Sequence, residues 1–292
     1  MRSPARLIFM LAAVASSAAC GSAIPGLGRP AGAAAMTSPK PPDFWVEAPI
    51  EDDPSPMLAH VPSTGVTVDL KGMTARLHPP TAVPPGRRVG IQVGHLDVQE
   101  APAEFPSLRF QLGGSSAGVN EVDVNLAVAR RVAGLLTSAG ITVDLLPATI
   151  PAGYLADAFV AIHADSIDSD DASGFKVAHG FYRGPYEDDL VRLLDIEYAR
   201  ATDMPRTSSI SSDMTDYYAF AWYRYEHALA PHTPAAIIEM GYISNDDDRA
   251  MLVDHPDVIA RGIANGVLRF LAAVPRSKLF AEDIVVPIVS AP

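Results

Sequence analysis

The stretch that decides the fold is DAFVAIHADS, residues 157–166. Its apolar run from Phe159 to Ile162 is typical of a strand buried in the middle of a parallel sheet. The run leads directly into His163 and Asp165. Because α/β proteins carry their ligand sites at the carboxyl ends of their strands, an imidazole and a carboxylate here indicate a site at the edge of the sheet.

Strand-like and helix-like segments alternate on both sides of this stretch. Apolar runs bounded by glycine or polar residues predict strands over residues 88–94, 141–146, 158–162, 174–182 and 235–241. Apolar residues at helical spacing predict helices over residues 125–140, 188–201 and 257–274. The alternation predicts an α/β fold, with a single three-layer domain and a mostly parallel central sheet flanked by helices.

The bulk composition limits the classes of partner. The chain has 292 residues, of which 48% are hydrophobic, which is enough for one sizeable core. Its net charge is −12. This charge argues against a nucleic-acid partner, because phosphate binding depends on clustered lysine and arginine.

Four chemically capable residues lie at comparable places in the predicted elements. Strand 88–94 ends at His95, strand 158–162 ends at His163, and the apolar run AAII ends at Glu239. Glu121 opens the first helix after the loop GGSSAGVN. These residues are far apart in the chain, so only a fold with all four at one rim of the sheet brings them together.

Two histidines and one glutamate are the usual ligands of a catalytic zinc site, which keeps its fourth position for water. His95, Glu121 and His163 suit the ligand role, and Glu239 is left for moving the proton in general acid–base catalysis. Each residue alone also has a simpler interpretation. A histidine after a strand is often a surface or capping residue, and Glu121 would be a first-turn carboxylate facing the helix dipole.

The region from about residue 88 to residue 272 resembles the zinc-dependent N-acetylmuramoyl-L-alanine amidases, the family called amidase 3. Four blocks carry the resemblance, in the family's order and spacing: VGIQVGH, NEVDVNLAVARRVAGLLTSAGITVDLL, ADAFVAIHADS with ASGFKV, and PAAIIEMGYISNDDDRAML. The resemblance implies a zinc-exopeptidase-like fold, Zn²⁺ ligands at His95, Glu121 and His163, and a catalytic carboxylate at Glu239. It also implies cleavage of the amide between N-acetylmuramic acid and L-alanine in peptidoglycan.

Three features depart from the family pattern. Leu96-Asp97 stands where the family usually has glycines, and the following loop QEAPAEFPSLRFQ is more apolar than a plain glycine loop. Asp165 replaces the family's asparagine after the second metal histidine. Asp97 and Asp165 are either surface carboxylates or partners that hold the imidazoles of the ligands. The aromatic cluster DYYAFAWYRYEH, residues 216–227, has either a structural role or stacks on the substrate.

Two other functions stay open on the sequence. One is a peptidoglycan-binding lipoprotein that keeps the fold and does not hydrolyse its ligand. The other is a zinc peptidase that acts on a different amide. Turnover separates the first from the amidase, and product analysis separates the second, since a fold does not determine the substrate.

The amino terminus, MRSPARLIFMLAAVASSAAC, has the charged, apolar and small-residue regions of a secretory signal. Its apolar run is shorter than the ~18 residues of a membrane-spanning helix. The sole cysteine, Cys20, closes a segment that resembles a lipoprotein signal, and an ordinary cleaved signal is the alternative. We therefore expect export to the cell envelope, with a lipid on Cys20 as the anchor at the membrane surface.

The composition divides the chain into four regions. Residues 1–20 form the predicted signal, and the proline-rich residues 21–85 form a predicted linker with one or two peripheral strands. Residues 86–275 form the predicted catalytic domain, and residues 276–292 form a C-terminal tail.

Overall fold

The computed structural model describes residues 68–71, 74–167, 169 and 171–287. The predicted signal, Cys20 and most of the predicted linker lie outside the described residues. Within them the strands are β1 (Val68–Lys71), β2 (Thr74–Leu77), β3 (Arg88–Val93), β4 (Ser115–Ser116), β5 (Val119–Asn120), β6 (Thr142–Leu146), β7 (Ala158–Asp165), β8 (Lys176–Ala178), β9 (Ala235–Tyr242) and β10 (Ile284–Pro287). The α-helices are α1 (Glu121–Ser138), α2 (Glu187–Thr202), α3 (Ser212–Thr215), α4 (Asp246–Asp254), α5 (Pro256–Ala273) and α6 (Arg276–Leu279).

The central sheet has the strand order β6-β3-β7-β9-β8. The first four strands are parallel, and the edge strand β8 is antiparallel to β9. Strands β3, β7 and β9 are buried along almost their whole length, which explains their continuous apolar sequences. The predicted α/β fold with a mostly parallel central sheet is confirmed.

The two faces of the sheet are covered differently. Helices α1, α2 and α5 pack on one face and form the larger core with β3, β7 and β9. On the opposite face Phe159, Ala161 and Ile237 pack against residues from the segments 146–156 and 214–229. The segment 214–229 contains the whole aromatic cluster, and most of its aromatic side chains serve packing.

The element boundaries differ from the prediction at the places where polar residues begin. Strand β7 continues through His163 to Asp165, three residues beyond its predicted end, whereas β9 ends at Tyr242, one residue beyond the predicted end. Helix α1 begins at Glu121, the residue expected to open it, although apolar helical spacing becomes visible only from residue 125, because valines alternate with acidic residues over residues 121–124. Helix α4 was not predicted, although its cap is visible in the sequence: the Asn245 side chain accepts hydrogen bonds from the backbone of the first turn.

A second, antiparallel sheet has the strand order β1-β2-β10. It joins residues from the predicted linker to residues from the predicted C-terminal tail. Leu77 and Ile284 from this sheet pack against Trp222 and Tyr223 of the aromatic cluster. Among the helices of the described residues, we find none with the length and apolar character needed to cross a membrane.

Helices α2 and α5 approach closely because two glycines of α5 face the backbone of α2. A Cβ on Gly266 would lie 2.7 Å from Leu194 Cα, and one on Gly262 would lie 3.0 Å from Tyr198 Cα. By contrast, a Cβ on Gly134, on the exposed face of α1, would meet open space.

We predict opposite effects of the same substitution at two of these glycines. Gly266→Ala should lower the free energy of unfolding by about 1–3 kcal/mol, because the new methyl group overpacks the helix contact. Gly134→Ala should raise it by about 0.5–1 kcal/mol, because alanine is the better helix former. Urea denaturation of both variants measures the two changes, and a stabilised Gly266→Ala would contradict the described helix packing.

Candidate metal centre

The structure brings the four candidate residues to one rim of the central sheet. His163 lies on β7 and is the register partner of Glu239 on the neighbouring strand β9. Residues paired in this way point to the same face of a sheet, so the two side chains are neighbours. His95 follows the parallel strand β3, where the backbone N–H of Gly94 donates to the carbonyl of Ile162 at 3.0 Å.

Glu121 lies between the two imidazoles. Its Oε1 is 3.2 Å from Nε2 of His95 and 3.1 Å from Nδ1 of His163. One ligand atom from each of the three side chains lies within 4.8 Å of the others. The two imidazole rings are nearly perpendicular, with centroids 4.9 Å apart. Each ring therefore presents one nitrogen to a common point beside the carboxylate.

The Glu121 carboxylate is held by its surroundings as an anion. Oε2 accepts a hydrogen bond from the backbone N–H of Gly114 at 2.9 Å. Oε1 accepts one from Nδ2 of Asn125 at 3.2 Å. Burial raises the pKa of Glu121, but the hydrogen bonds with His163 and His95 outweigh this effect and hold its pKa well below the ordinary value.

A backbone carbonyl determines the orientation of the His95 ring. Nδ1 of His95 lies 2.7 Å from the carbonyl oxygen of Gln111. A carbonyl can only accept, so Nδ1 carries a proton and donates it. As a neutral metal ligand the ring therefore has its lone pair on Nε2, the nitrogen that faces Glu121, whereas in the hydrogen bond to Glu121 the same nitrogen carries a proton.

Two glycines make room for the cluster. A Cβ on Gly94 would collide with the ring of His163, and one on Gly113 would lie 3.0 Å from Cδ2 of His95 and 3.1 Å from Oε2 of Glu121. Gly113 also has a φ of 83°, a conformation that favours glycine. The backbone is therefore shaped closely around the three side chains.

Glu239 differs from Glu121 in having an unsatisfied oxygen. Its Oε2 is buried and has no hydrogen-bond partner among the described residues. Burial raises the pKa of Glu239 well above its ordinary value, and the carboxylates of Glu121 and Asp165 add to the effect, while Lys176 opposes it. Because buried polar atoms normally have partners, this oxygen is a natural contact for a water molecule or a substrate group.

Of the two carboxylates that depart from the family pattern, one pairs with a lysine and the other is exposed. Asp165 forms an ion pair with Lys176, with Oδ2 and Nζ 2.5 Å apart. Asp97 is exposed and takes a left-handed conformation, with φ 57° and ψ 29°. The second nitrogen of each imidazole faces instead the Gln111 carbonyl or the Tyr217 hydroxyl.

Several residues of the site were not predicted from the sequence. Asn125 has a visible signal, because it is a buried polar residue one turn after Glu121 on the inner face of α1. Lys176 and Gln111 have no such signal. Lys176 becomes relevant through the register of β8 with β9, and Gln111 through its backbone alone. Tyr217 lies in the aromatic cluster but reaches the site with its hydroxyl group.

The donor set fits a metal ion. Two imidazole nitrogens and a carboxylate oxygen form the ligand set of many catalytic zinc sites. The ionised Glu121, the turned ring of His95 and the backbone shaped around them are the features that such a site requires. The fold and this cluster define a class of protein, namely an α/β domain with a candidate metal centre at the carboxyl ends of its parallel strands.

The chain belongs to the family Amidase_3, described as N-acetylmuramoyl-L-alanine amidase, whose family model matches residues 89–269. The match covers more than half of the chain and includes all four candidate residues. It confirms the resemblance that the four sequence blocks carry.

Comparison with individual proteins gives more distant matches. The chain is 25% identical over 119 residues to a protein of Staphylococcus epidermidis named "Probable cell wall amidase LytH". The matched region covers 40% of this chain and 36% of that protein. The chain thus spans about a third of the length of the curated relatives it matches.

Solved structures of amidases are similar in fold. The N-acetylmuramyl-L-alanine amidase Ami1 from Mycobacterium smegmatis has a TM-score of 0.50 and 17% identity, over 65% of this chain and 98% of that chain. The N-acetylmuramoyl-L-alanine amidase AmiC2 of Nostoc punctiforme has a TM-score of 0.47 and 22% identity, over 64% of this chain and 97% of that chain. The likeness to the mycobacterial structure supports the α/β fold described above.

The conformation of Asp97 yields a prediction about the turn after His95. Asp97→Val should lower the free energy of unfolding by about 1–2 kcal/mol, because a β-branched residue is strained at positive φ. Glu100→Val, which removes an exposed carboxylate from the same turn at negative φ, should change it by less than about 0.5 kcal/mol. Equal effects of the two substitutions in urea denaturation would contradict the left-handed conformation.

Proposed function

We propose that this chain is a zinc-dependent peptidoglycan hydrolase that cleaves the amide between N-acetylmuramic acid and L-alanine. His95, Glu121 and His163 hold the zinc ion, and Glu239 is the catalytic carboxylate. The observation that carries the proposal is the convergence of three ligand atoms within 4.8 Å, beside an unpaired Glu239 oxygen. Membership of the amidase family supports the choice of substrate.

The chemistry follows from the positions of the side chains. A bound zinc ion lowers the pKa of a coordinated water molecule and polarises a substrate carbonyl. Glu239 accepts the proton of the attacking water and transfers it to the nitrogen that leaves as the carbon–nitrogen bond breaks. The raised pKa of Glu239 suits this task, because a carboxylate with a raised pKa is a stronger base towards the proton of water.

Lys176 and Asp165 make a second contribution. Their ion pair adjoins Glu239, since Lys176 is the register partner of Glu239 on β8. The ammonium group opposes the rise in the pKa of Glu239 that burial and the neighbouring carboxylates cause. We propose that Lys176, held in place by Asp165, keeps Glu239 able to release the proton that it accepts.

We also propose that the enzyme is located outside the cytoplasm. Residues 1–20 direct export, and a lipid on Cys20 holds the enzyme at the membrane surface, next to its substrate. Support comes from the signal-like pattern of that segment and from the name of the staphylococcal relatives, which are called cell wall amidases.

We predict that the purified chain binds about one zinc ion and that His163→Ala loses it, because two of three ligands are too few for a stable site. Elemental analysis after dialysis measures the zinc content. His179→Ala is the matched control, since the ring of His179 contacts Gly180 and Asp188 and should leave the zinc in place. Retention of zinc by His163→Ala would contradict the proposed ligand set.

We predict that Glu239→Gln keeps the zinc but lowers turnover by about 10²–10⁴-fold, because the amide cannot carry the proton. The assay follows new L-alanine amino groups released from purified peptidoglycan. Glu187→Gln, which changes another buried glutamate on α2, should keep normal turnover. Full activity of Glu239→Gln would refute the catalytic role, and binding of peptidoglycan without release by the wild type would refute the hydrolase.

A further inference from the structure

We infer that Tyr217 and Gln92 are positioning residues that make His163 a metal ligand through its Nδ1 atom. They form a hydrogen-bonded chain behind the His163 ring that holds a proton on Nε2. The inference rests on the proposed metal centre and extends it to the wall of the site. It also predicts that the two histidines use different nitrogens, Nδ1 in His163 and Nε2 in His95.

The direction of the hydrogen bonds in this chain follows from the bond that Gln92 makes at its inner end. Nε2 of Gln92 lies 2.5 Å from the carbonyl oxygen of Ala148. A carbonyl can only accept, so the amide nitrogen of Gln92 must be on that side and its Oε1 on the other. Oε1 then accepts from the hydroxyl of Tyr217, which is 2.8 Å away.

The outer end of the chain is the imidazole of His163. A tyrosine hydroxyl has one proton, and Tyr217 donates it to Gln92. Its oxygen therefore accepts from Nε2 of His163, which is 3.2 Å away. A ligand imidazole is neutral and carries a proton on one nitrogen only, so in the metal-bound ring the lone pair is on Nδ1. That atom faces Glu121 at 3.1 Å, where the metal ligands converge.

The sheet places Gln92 behind His163. Gln92 on β3 is the register partner of Ala161 on β7, and His163 is two residues further along the same strand. Side chains two residues apart point to the same face, so Gln92 and His163 share the face that the segment 214–229 covers. Gln92 has no exposed surface, so its amide group pairs inside the protein with Ala148 and Tyr217. This pairing accounts for a polar residue within the apolar run of β3.

Aromatic contacts hold Tyr217 in place between Gln92 and His163. Its ring meets that of His163 edge to face, with centroids 5.5 Å apart. On its other sides it contacts the rings of Tyr218 at 4.6 Å and Phe220 at 5.4 Å. The hydroxyl of Tyr217 is therefore fixed between Gln92 and His163.

The hydrogen-bonded chain matters because the other tautomer of His163 would turn an N–H group towards the metal. The partners that hold a ligand histidine typically change metal affinity by about 10–100-fold when they are lost. For His95 this task falls to the Gln111 carbonyl, and for His163 it falls to Tyr217 and Gln92. The two ligands are thus oriented by independent devices.

The test is the zinc dissociation constant of the full chain, measured by competition with a chromophoric chelator. We expect Tyr217→Phe to bind zinc about 10-fold more weakly than the wild type. Gln92→Met should show a similar loss, because Tyr217 would then donate its proton to His163 and favour the wrong tautomer. The double variant should bind no more weakly than either single variant, since both act through one chain.

Tyr218→Phe is the matched control. It removes a hydroxyl that accepts from Nε2 of Gln92 at 2.8 Å, donates to the carbonyl oxygen of Ala148 and lies 3.3 Å from the hydroxyl of Tyr217. Gln92 keeps its own bond to Ala148. We expect this variant to bind zinc within about twofold of the wild type, because the hydrogen bonds between Gln92, Tyr217 and His163 stay in place. The melting temperature of each metal-free variant separates a loss of zinc affinity from a loss of folding.

A second readout reports on the proton itself. In the zinc-loaded wild type and in Tyr218→Phe, the ring N–H of His163 should give a slowly exchanging proton resonance that couples to Nε2. In Tyr217→Phe this resonance should exchange rapidly. A purely structural role of Tyr217 would leave the resonance unchanged.

The possible outcomes separate this inference from the proposed function. If the wild type binds zinc and Tyr217→Phe binds it equally well, the chain has no positioning role, while the metal centre stands. If Tyr218→Phe loses as much affinity as Tyr217→Phe, general packing explains the effect and the inference is wrong. If the wild type binds no zinc, the metal centre and the inference are both refuted.

Discussion

The buried carboxylate of Glu121 is the feature on which the site depends. Its side chain is 7% exposed, and a buried anion is unfavourable unless other groups compensate its charge. Two imidazoles, the backbone N–H of Gly114 and the amide of Asn125 surround it. A divalent cation between the carboxylate and the imidazoles would compensate the charge further. The arrangement therefore explains why the chain carries closely fitted glycines and a buried asparagine around one acid.

The parallel sheet makes this arrangement possible. The carboxyl ends of β3, β7 and β9 meet at one rim, which brings His95, His163 and Glu239 together from distant parts of the sequence. Helix α1 starts at the same rim and contributes Glu121 as its first residue. The glycines of α5 allow α2 to pack closely on the other side of the core. The sheet therefore determines the geometry of the site, and the helices packed on the sheet keep it rigid.

Much of the fold and the main residues of the site could be predicted from the sequence. The apolar run before His163 and the similar runs before His95 and Glu239 identify the strands and place these three residues near their carboxyl ends. Glu121 is visible because a helix follows a glycine- and serine-rich loop. The family blocks then support the same four residues. These signals are local, so a single sequence contains them.

The residues that the sequence did not predict act through long-range contacts. Tyr217 reaches His163 only after the segment 214–229 folds over the sheet, and Gln111 acts through its backbone carbonyl. Gln92 has one local signal, since a glutamine in a buried apolar strand needs a partner. Its partners, Ala148 and Tyr217, could not be inferred without the fold. The polar first turn of α4 carries no apolar periodicity, which is why this helix was missed, and valines alternate with acidic residues at the start of α1, so its helical spacing is visible only from residue 125.

The most direct test of the account is anomalous diffraction at the zinc absorption edge, on crystals of the chain grown with zinc. The account predicts one strong peak about 2.1 Å from Nε2 of His95 and Nδ1 of His163, and in contact with Oε1 of Glu121. A zinc ion bound elsewhere, or bound to His163 through Nε2, would contradict it.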